Sequence, residues 1–167
     1  MNGTGEQVHF NLNEWFIVTS LILSAALVIW LPRRFSNKTT AVFLLCGVFF
    51  GFLFDHTLSV FPVSFYTVND TPWFEVMDFL SHVMYAAYSY LFFYLYSKLE
   101  IKLHAAPLYV LIWVFISVGF EKLCETIGIF RYENGYSIYY SFVIYLLVTS
   151  FWIYFYKVIM AHGEKRF

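Results

Sequence analysis

The sequence predicts an all-α, polytopic membrane protein built as a bundle of five transmembrane helices. Hydrophobic residues make up 60% of the 167 residues and charged residues only 13%, whereas soluble domains have about 45 to 50% apolar and about 25% charged residues. Five spans of about 20 residues each would use about 100 positions, which this chain can supply. Composition therefore argues against a soluble domain, and the 24% aromatic content argues against a disordered chain.

Proline, glycine and turn residues separate the five apolar stretches in order. The first stretch stops before Pro32 and lacks the cleavage site of a signal peptide, so it is expected to remain as an anchor. Pro62 is expected to end the second stretch, and Pro72 takes the first helical position of the third. The fourth ends near Gly128, and the turn signal at Asn134 precedes the fifth. The predicted helices cover about residues 15–31, 40–61, 72–96, 106–126 and 137–156 of a single domain, 1–167.

The distribution of basic residues predicts the orientation, because lysines and arginines of short loops stay on the cytoplasmic side. With five spans, eight of the ten basic residues share one side, and only Lys122 and Arg131 fall on the other. The N-terminus is therefore expected outside and the C-terminus in the cytoplasm. The eight residues are Arg33, Arg34, Lys38, Lys98, Lys102, Lys157, Lys165 and Arg166.

The net charge of the chain bears on its binding partners, and the positions of its cysteines bear on disulfide formation. The net charge of −1, with no basic tail, argues against nucleic acid. Cys46 and Cys124 are expected at depths too different for a disulfide, so two free thiols are predicted. The lipid bilayer is the expected environment. A second copy of the chain or another membrane protein is a further candidate partner.

Ionisable residues inside the predicted spans form a layer at one depth. Asp55, Asp78 and Glu121 each lie about five or six residues from the outer end of a different span, which places them roughly 8 to 10 Å below the outer boundary. His82 follows Asp78 by four residues, so it shares the same helical face. Charged groups in a membrane usually face the bundle interior with a partner. The full candidate set is Asp55, His56, Asp78, His82, Glu121 and Glu125.

The spacing of small and polar residues predicts how this layer is assembled. Gly47 and Gly51 recur at an interval of four with Asp55, so close helix packing would turn that carboxylate toward a neighbouring helix. Polar positions on the fourth and fifth spans likewise recur on single stripes. These stripes are Trp113, Ser117, Glu121 and Glu125 on the fourth span and Ser137, Ser141, Tyr145 and Thr149 on the fifth.

Three functional interpretations of the layer remain open at this point. The carboxylates and imidazoles could bind a cation, a small polar ligand or a partner helix in a non-enzymatic membrane protein. They could also serve a membrane-embedded enzyme acting on lipid or a cell-envelope precursor, with Asp78, His82 and Glu121 as ligands of a divalent metal or as acid and base groups. Alternatively, the groups form structural pairs, such as His82 with Asp78 or Asp55, in a purely structural subunit.

Common catalytic motifs are absent from the sequence, which favours the non-enzymatic interpretation. There is no phosphate-binding glycine loop, paired-histidine zinc helix, nucleophile elbow or paired-cysteine motif. The absence of these motifs is compatible with a catalytic site assembled from side chains on separate helices. The loop from Phe130 to Gly135 is expected to form a short hairpin that caps the layer.

Three local motifs also carry a resemblance to a known family. They are Leu31, Pro32, Arg33, Arg34 and Phe35 after the first span, Asp78, Phe79, His82 and Tyr85 on the third, and Phe120, Glu121, Gly128, Phe130, Tyr132, Asn134 and Gly135 on and after the fourth. Over nearly its whole length the chain resembles an uncharacterised family of small multi-pass membrane proteins from Gram-positive spore-forming bacteria. The resemblance implies a bacterial plasma membrane location and assigns no activity.

Overall fold

The structure, a computed structural model, describes residues 12–59, 63–68 and 76–162. Its five long helices confirm the predicted all-α, five-helix architecture. A 3-10 turn at Leu103–Ala105 precedes the fourth helix, and two short strands, β1 and β2, follow the second and fourth helices. The elements are α1 (Leu12–Trp30), α2 (Asn37–Leu58), β1 (Tyr66–Val68), α3 (Val76–Lys98), α4 (Ala106–Ile127), β2 (Phe130–Tyr132) and α5 (Ile138–Ala161).

Local capping explains where α2 and α4 begin or end. The Ser36 hydroxyl accepts a hydrogen bond from the backbone N–H of Thr39 at 3.3 Å, which starts α2 three residues before the predicted position 40. Gly128 ends α4 with φ of 92°, a left-handed conformation that glycine adopts without a Cβ clash, as predicted.

Other helix ends differ from their predicted positions by a few residues. α2 stops at Leu58, before the predicted end at 61, and the proline expected to stop it lies outside the described residues. The predicted start of α3 at Pro72 is also outside them. α1 is described from Leu12, ahead of 15, and α5 continues to Ala161, past 156, where Val158, Ile159 and Met160 extend its apolar stretch.

α2 and α3 pack antiparallel at two glycines, Gly47 and Gly51. A Cβ at Gly47 would overlap the carbonyl oxygen of Tyr85, and one at Gly51 would lie 2.7 Å from Cδ2 of the same tyrosine. Ser89 joins the two helices, since it accepts from the N–H of Gly47 at 3.0 Å and donates to the carbonyl of Phe43 at 2.6 Å. The small residues therefore bring the two backbones into close contact.

Buried aromatic rings, here called the aromatic core, fill one half of the bundle between the α2–α3 pair and the α4–α5 pair. Phe43 and Phe93 stack with ring centroids 4.0 Å apart, and Trp152 lies 5.2 Å from Phe92. At the same end, Arg34 donates to the hydroxyl and carbonyl of Ser97 at the end of α3. The aromatic core comprises Phe43, Phe92, Phe93, Trp113, Trp152 and Tyr156.

The opposite end of the bundle is closed by a two-stranded antiparallel sheet, here called the cap sheet. β1 pairs with β2 so that Tyr66 lies opposite Tyr132 and Thr67 opposite Arg131. The short hairpin expected at residues 130–135 is therefore not formed, because the strand in this segment pairs with β1. Asn134 and Gly135 do make a tight turn, with φ of 48° and 79°, but the partner of β2 is the strand that follows α2.

Within the described parts of the chain, three helical stretches are long and apolar enough to cross a membrane: Asn37–Leu58, Leu103–Ile127 and Ile138–Ala161. The apolar part of α1, Glu14–Trp30, is slightly shorter. α3 is more polar because it carries Ser81, His82 and Ser89 among its tyrosines. Large apolar side chains cover the outward faces, as lipid contact requires, including Leu23, Leu45, Leu108, Phe115 and Leu147.

Candidate functional site

A cavity of about 390 Å³ lies between the cap sheet and the aromatic core, and all five helices contribute to its wall. Its volume is within the range typical of small-molecule sites, about 300 to 1,000 Å³. Most of the lining is aliphatic or aromatic, and two carboxylates, Asp55 and Glu121, face it. A largely apolar pocket with a few polar groups is the usual form of a ligand site.

Glu121 is the most enclosed carboxylate of the site, with 4% of its surface exposed. Its Oε1 accepts hydrogen bonds from the hydroxyls of Tyr132 and Ser141, both at 2.6 Å. Its Oε2 accepts from the hydroxyl of Tyr145 at 2.5 Å. A carboxylate only accepts and each hydroxyl can donate one proton, so the three contacts satisfy an ionised side chain.

Asp55 makes a different pair of contacts on the α2 side of the cavity. Its Oδ1 accepts from the hydroxyl of Tyr66 at 2.6 Å, and its Oδ2 lies 2.8 Å from Nε2 of His82. His82 is buried, and its ring stacks on Phe52 with centroids 4.1 Å apart. Because histidine can carry a positive charge, Asp55 has a partner able to compensate its charge.

The cap sheet supplies the phenols that hold both carboxylates. Burial, together with the negative charge of the carboxylate that each contacts, raises the pKa of Tyr66 and Tyr132 well above the usual value. Both phenols therefore remain protonated donors at neutral pH. Burial also raises the pKa of Tyr136, and the negative charges of Glu121 and Asp55 add to that rise, since this ring lies beside both carboxylates.

No protein-family model, curated protein or solved structure matches the chain. The function must therefore be argued from these residues and their geometry.

The structure brings some of the predicted site residues together and separates others. Asp55 and His82 are paired, and Glu121 lines the same cavity as Asp55. His56 is exposed on the next position of α2, where its Nδ1 lies 3.0 Å from the carbonyl oxygen of Phe52. Glu125 forms an ion pair with Lys122 at 2.5 Å and does not line the cavity.

Asp78, the remaining predicted member, lies in α3, but its side chain is outside the described residues. Within the part of the chain that the structure describes, no group of three or more His, Cys, Asp or Glu side chains is arranged to hold a metal ion. His82 and Glu121, two of the three candidate metal ligands, contact different partners. Cys46 and Cys124 are both free and buried, as predicted.

Tyr66 and Tyr136 were not among the predicted site residues, and Tyr132 was not predicted to act as a hydrogen-bond donor. Tyr66 and Tyr132 lie in strands of only three residues, and Tyr136 lies in the segment before α5, so none of these segments is long enough to show a helical or strand periodicity. The only available signal was the number of tyrosines around buried carboxylates, since such carboxylates need donors. Tyr145 and Ser141, by contrast, lie on the predicted polar stripe of the fifth helix.

The arrangement is suited to holding negative charge next to an apolar volume. Hydroxyl groups fix the orientation of both carboxylates, and the aromatic core blocks the far end of the cavity. Such a pocket can bind a molecule that has both an apolar body and a group attracted by carboxylates.

Proposed function

We propose that this chain is a non-enzymatic integral membrane protein that binds a small ligand in the cavity between its five helices, through Asp55 and Glu121. The observation that carries the proposal is that the cavity places two carboxylates, the buried Glu121 and the half-buried Asp55, beside an extended apolar wall. Ionisable residues within apolar helices are rare and usually mark a binding or transport site, and here two of them face one cavity.

The proposed location is the plasma membrane of a bacterium, with all five helices crossing the bilayer, the N-terminus outside and the C-terminus in the cytoplasm. The apolar helices and the basic loops at the end opposite the cap sheet support this arrangement. The resemblance to membrane proteins of Gram-positive spore-forming bacteria supports the bacterial assignment. In this orientation the cap sheet and the carboxylates belong to the outer leaflet side.

Photolabelling with a neutral probe tests whether the cavity binds a small molecule. The probe is a decan-1-ol carrying a diazirine, added to the full chain in phosphatidylcholine nanodiscs and cross-linked by light. We expect adducts on Val148 and Thr149, which line the cavity and are 9% and 2% exposed. Leu147 and Phe151 on the outward face of α5 report labelling from lipid.

A matched pair of variants on α1 gives the control for this experiment. Ser24 lines the cavity, whereas Ala25 is exposed on the next position. We expect Ser24→Phe to reduce the labelling of Val148 and Thr149, and Ala25→Phe to leave it unchanged. Adducts confined to Leu147 and Phe151 in the wild type would show that the cavity takes up no ligand and would overturn the proposal.

The alternative function is a metal-dependent membrane enzyme that uses Asp78, His82 and Glu121. The contact between His82 and Asp55 is the one observation that favours it, since such a pair can transfer protons. Elemental analysis of detergent-purified protein distinguishes the two functions. Near-stoichiometric divalent metal in the wild type, lost in His82→Ala and retained in His56→Ala, would favour the enzyme over the non-enzymatic protein.

A further inference from the structure

The charges facing the cavity are unevenly balanced. Asp55 lies against His82, which can become positively charged, but the hydrogen bonds to Glu121 come from three neutral hydroxyls. Among the described residues, no lysine, arginine or histidine lines the cavity. The nearest basic residue in sequence, Lys122, is 61% exposed and paired with Glu125. Glu121 therefore gives the cavity a negative charge that a bound cation would compensate.

Aromatic rings surround the same end of the cavity. Phe54 and Phe120 directly precede the two carboxylates in the sequence and line the cavity with them. Tyr85, Tyr136 and Tyr145 complete this part of the wall. The faces of aromatic rings attract organic ammonium groups, and cages of such rings recognise quaternary ammonium ligands.

The rest of the cavity extends along the bundle and is mainly apolar. On α5 the lining runs from Ser141 to Trp152, which corresponds to about 16 Å of helix. Leu91, Val148 and Ile144 lie along this length. The site therefore fits a molecule with a charged end near Glu121 and a hydrocarbon body directed toward the aromatic core.

We propose that the ligand of this cavity is an amphiphilic organic ammonium, with its cationic nitrogen between Glu121 and the aromatic rings and its hydrocarbon portion along α5. This inference rests on the proposed function, because it specifies the class of ligand for the same cavity. Ca²⁺ or Mg²⁺ fits less well, since each requires about six or more oxygen ligands and most of this wall is hydrocarbon.

Competition for the photolabelled site tests the charge requirement. Three unlabelled molecules of similar length compete with the diazirine decanol: octyltrimethylammonium, its uncharged carbon analogue 2,2-dimethyldecane, and octanesulfonate. We expect the ammonium to displace the label from Val148 and Thr149 at a concentration in the lipid roughly tenfold below that of the uncharged analogue. The sulfonate is expected to be the weakest competitor, because Glu121 repels it.

Two glutamates one helical turn apart provide the matched variants. Glu121→Gln removes the charge inside the cavity, whereas Glu125→Gln removes a charge from the ion pair with Lys122 outside it. We expect the advantage of the ammonium over the uncharged analogue to shrink to about twofold or less in Glu121→Gln. In Glu125→Gln it should remain as in the wild type.

The experiment distinguishes failure of this inference from failure of the proposed function. Equal competition by ammonium and uncharged analogue in the wild type, with cavity labelling intact, would overturn this inference and leave the proposed function in place. Absence of cavity labelling would overturn both. An equal loss in the two glutamine variants would assign the effect to general surface charge and reject Glu121 as the binding group. If Glu121→Gln does not fold, the wild-type comparison of the three competitors still decides the charge requirement.

Discussion

Tyr66 and Tyr132 lie directly opposite each other in the cap sheet, and each donates its phenol hydroxyl to a different carboxylate of the cavity. Tyr66 contacts Asp55 on α2, and Tyr132 contacts Glu121 on α4, both at 2.6 Å. The register of a sheet only three residues long thus fixes the side chains of two helices that are far apart in sequence. Disruption of the cap sheet is consequently expected to disturb the carboxylates that line the cavity.

Removing either phenol hydroxyl should weaken the folded state. We expect Tyr66→Phe and Tyr132→Phe each to lower the free energy of unfolding by about 1 to 2 kcal/mol, because a carboxylate inside the bundle loses one donor. Thermal unfolding in detergent measures the change. Tyr139→Phe is the control, since Tyr139 is 80% exposed, and a loss as large in this variant would contradict the explanation.

Close packing of α2 on α3 should be sensitive to a single methyl group. At Gly47 a Cβ would overlap the carbonyl oxygen of Tyr85, whereas at Gly119 no atom lies within 4 Å of a Cβ. We expect Gly47→Ala to destabilise the protein by about 1 to 3 kcal/mol and Gly119→Ala to be neutral or slightly stabilising. Size-exclusion profiles and melting temperatures would show this, and equal effects of the two variants would rule out backbone contact as the cause.

The contact between His82 and Asp55 should appear as an energetic coupling. We expect His82→Ala to lower stability by about 1 to 3 kcal/mol, because it leaves the half-buried carboxylate of Asp55 with one fewer partner. The double variant with Asp55→Ala should cost less than the sum of the single variants. Additive losses, or a comparable loss in His56→Ala at the neighbouring exposed position, would show that the two side chains do not stabilise each other.

The orientation can be tested with cysteines introduced at the two ends of the bundle. Glu133 adjoins the cap sheet and His104 lies in the turn before α4, and both are exposed. We expect a membrane-impermeant maleimide to label Glu133→Cys on intact cells and His104→Cys only after permeabilisation. The native thiols, Cys46 and Cys124, are buried and should contribute little background. The reverse labelling pattern would invert the proposed topology.

Several elements of the fold could be predicted because their signals are local. The apolar stretches were long enough to identify five helices, and glycine at 128 marked the end of α4 through its left-handed conformation. The four-residue interval of Gly47 and Gly51 correctly indicated a close approach of α2 to another helix. Helix ends were less accurate, because Ser36 caps α2 through a single hydrogen bond that has no periodicity.

The candidate site was only partly predictable. Depth counted along each helix suggested that Asp55 and Glu121 lie at one level, and both line the cavity. The same counting treated His56 and Glu125 as equal candidates, although helix rotation leaves His56 exposed and Glu125 outside the cavity lining. Depth depends on the rise per residue alone, whereas the direction of a side chain also depends on which neighbour the helix packs against.

The sequence by itself determined the all-α class and the number of helices, because long apolar stretches separated by proline, glycine and turn residues are local signals. Only the tertiary structure decided which partners the carboxylates of the cavity have. In the folded chain β1 pairs with β2 across a separation of more than 60 residues. This pairing places the hydroxyl of Tyr66 at Asp55 and the hydroxyl of Tyr132 at Glu121. Such contacts depend on helix rotation and strand register together, and neither is encoded in any single stretch of the chain.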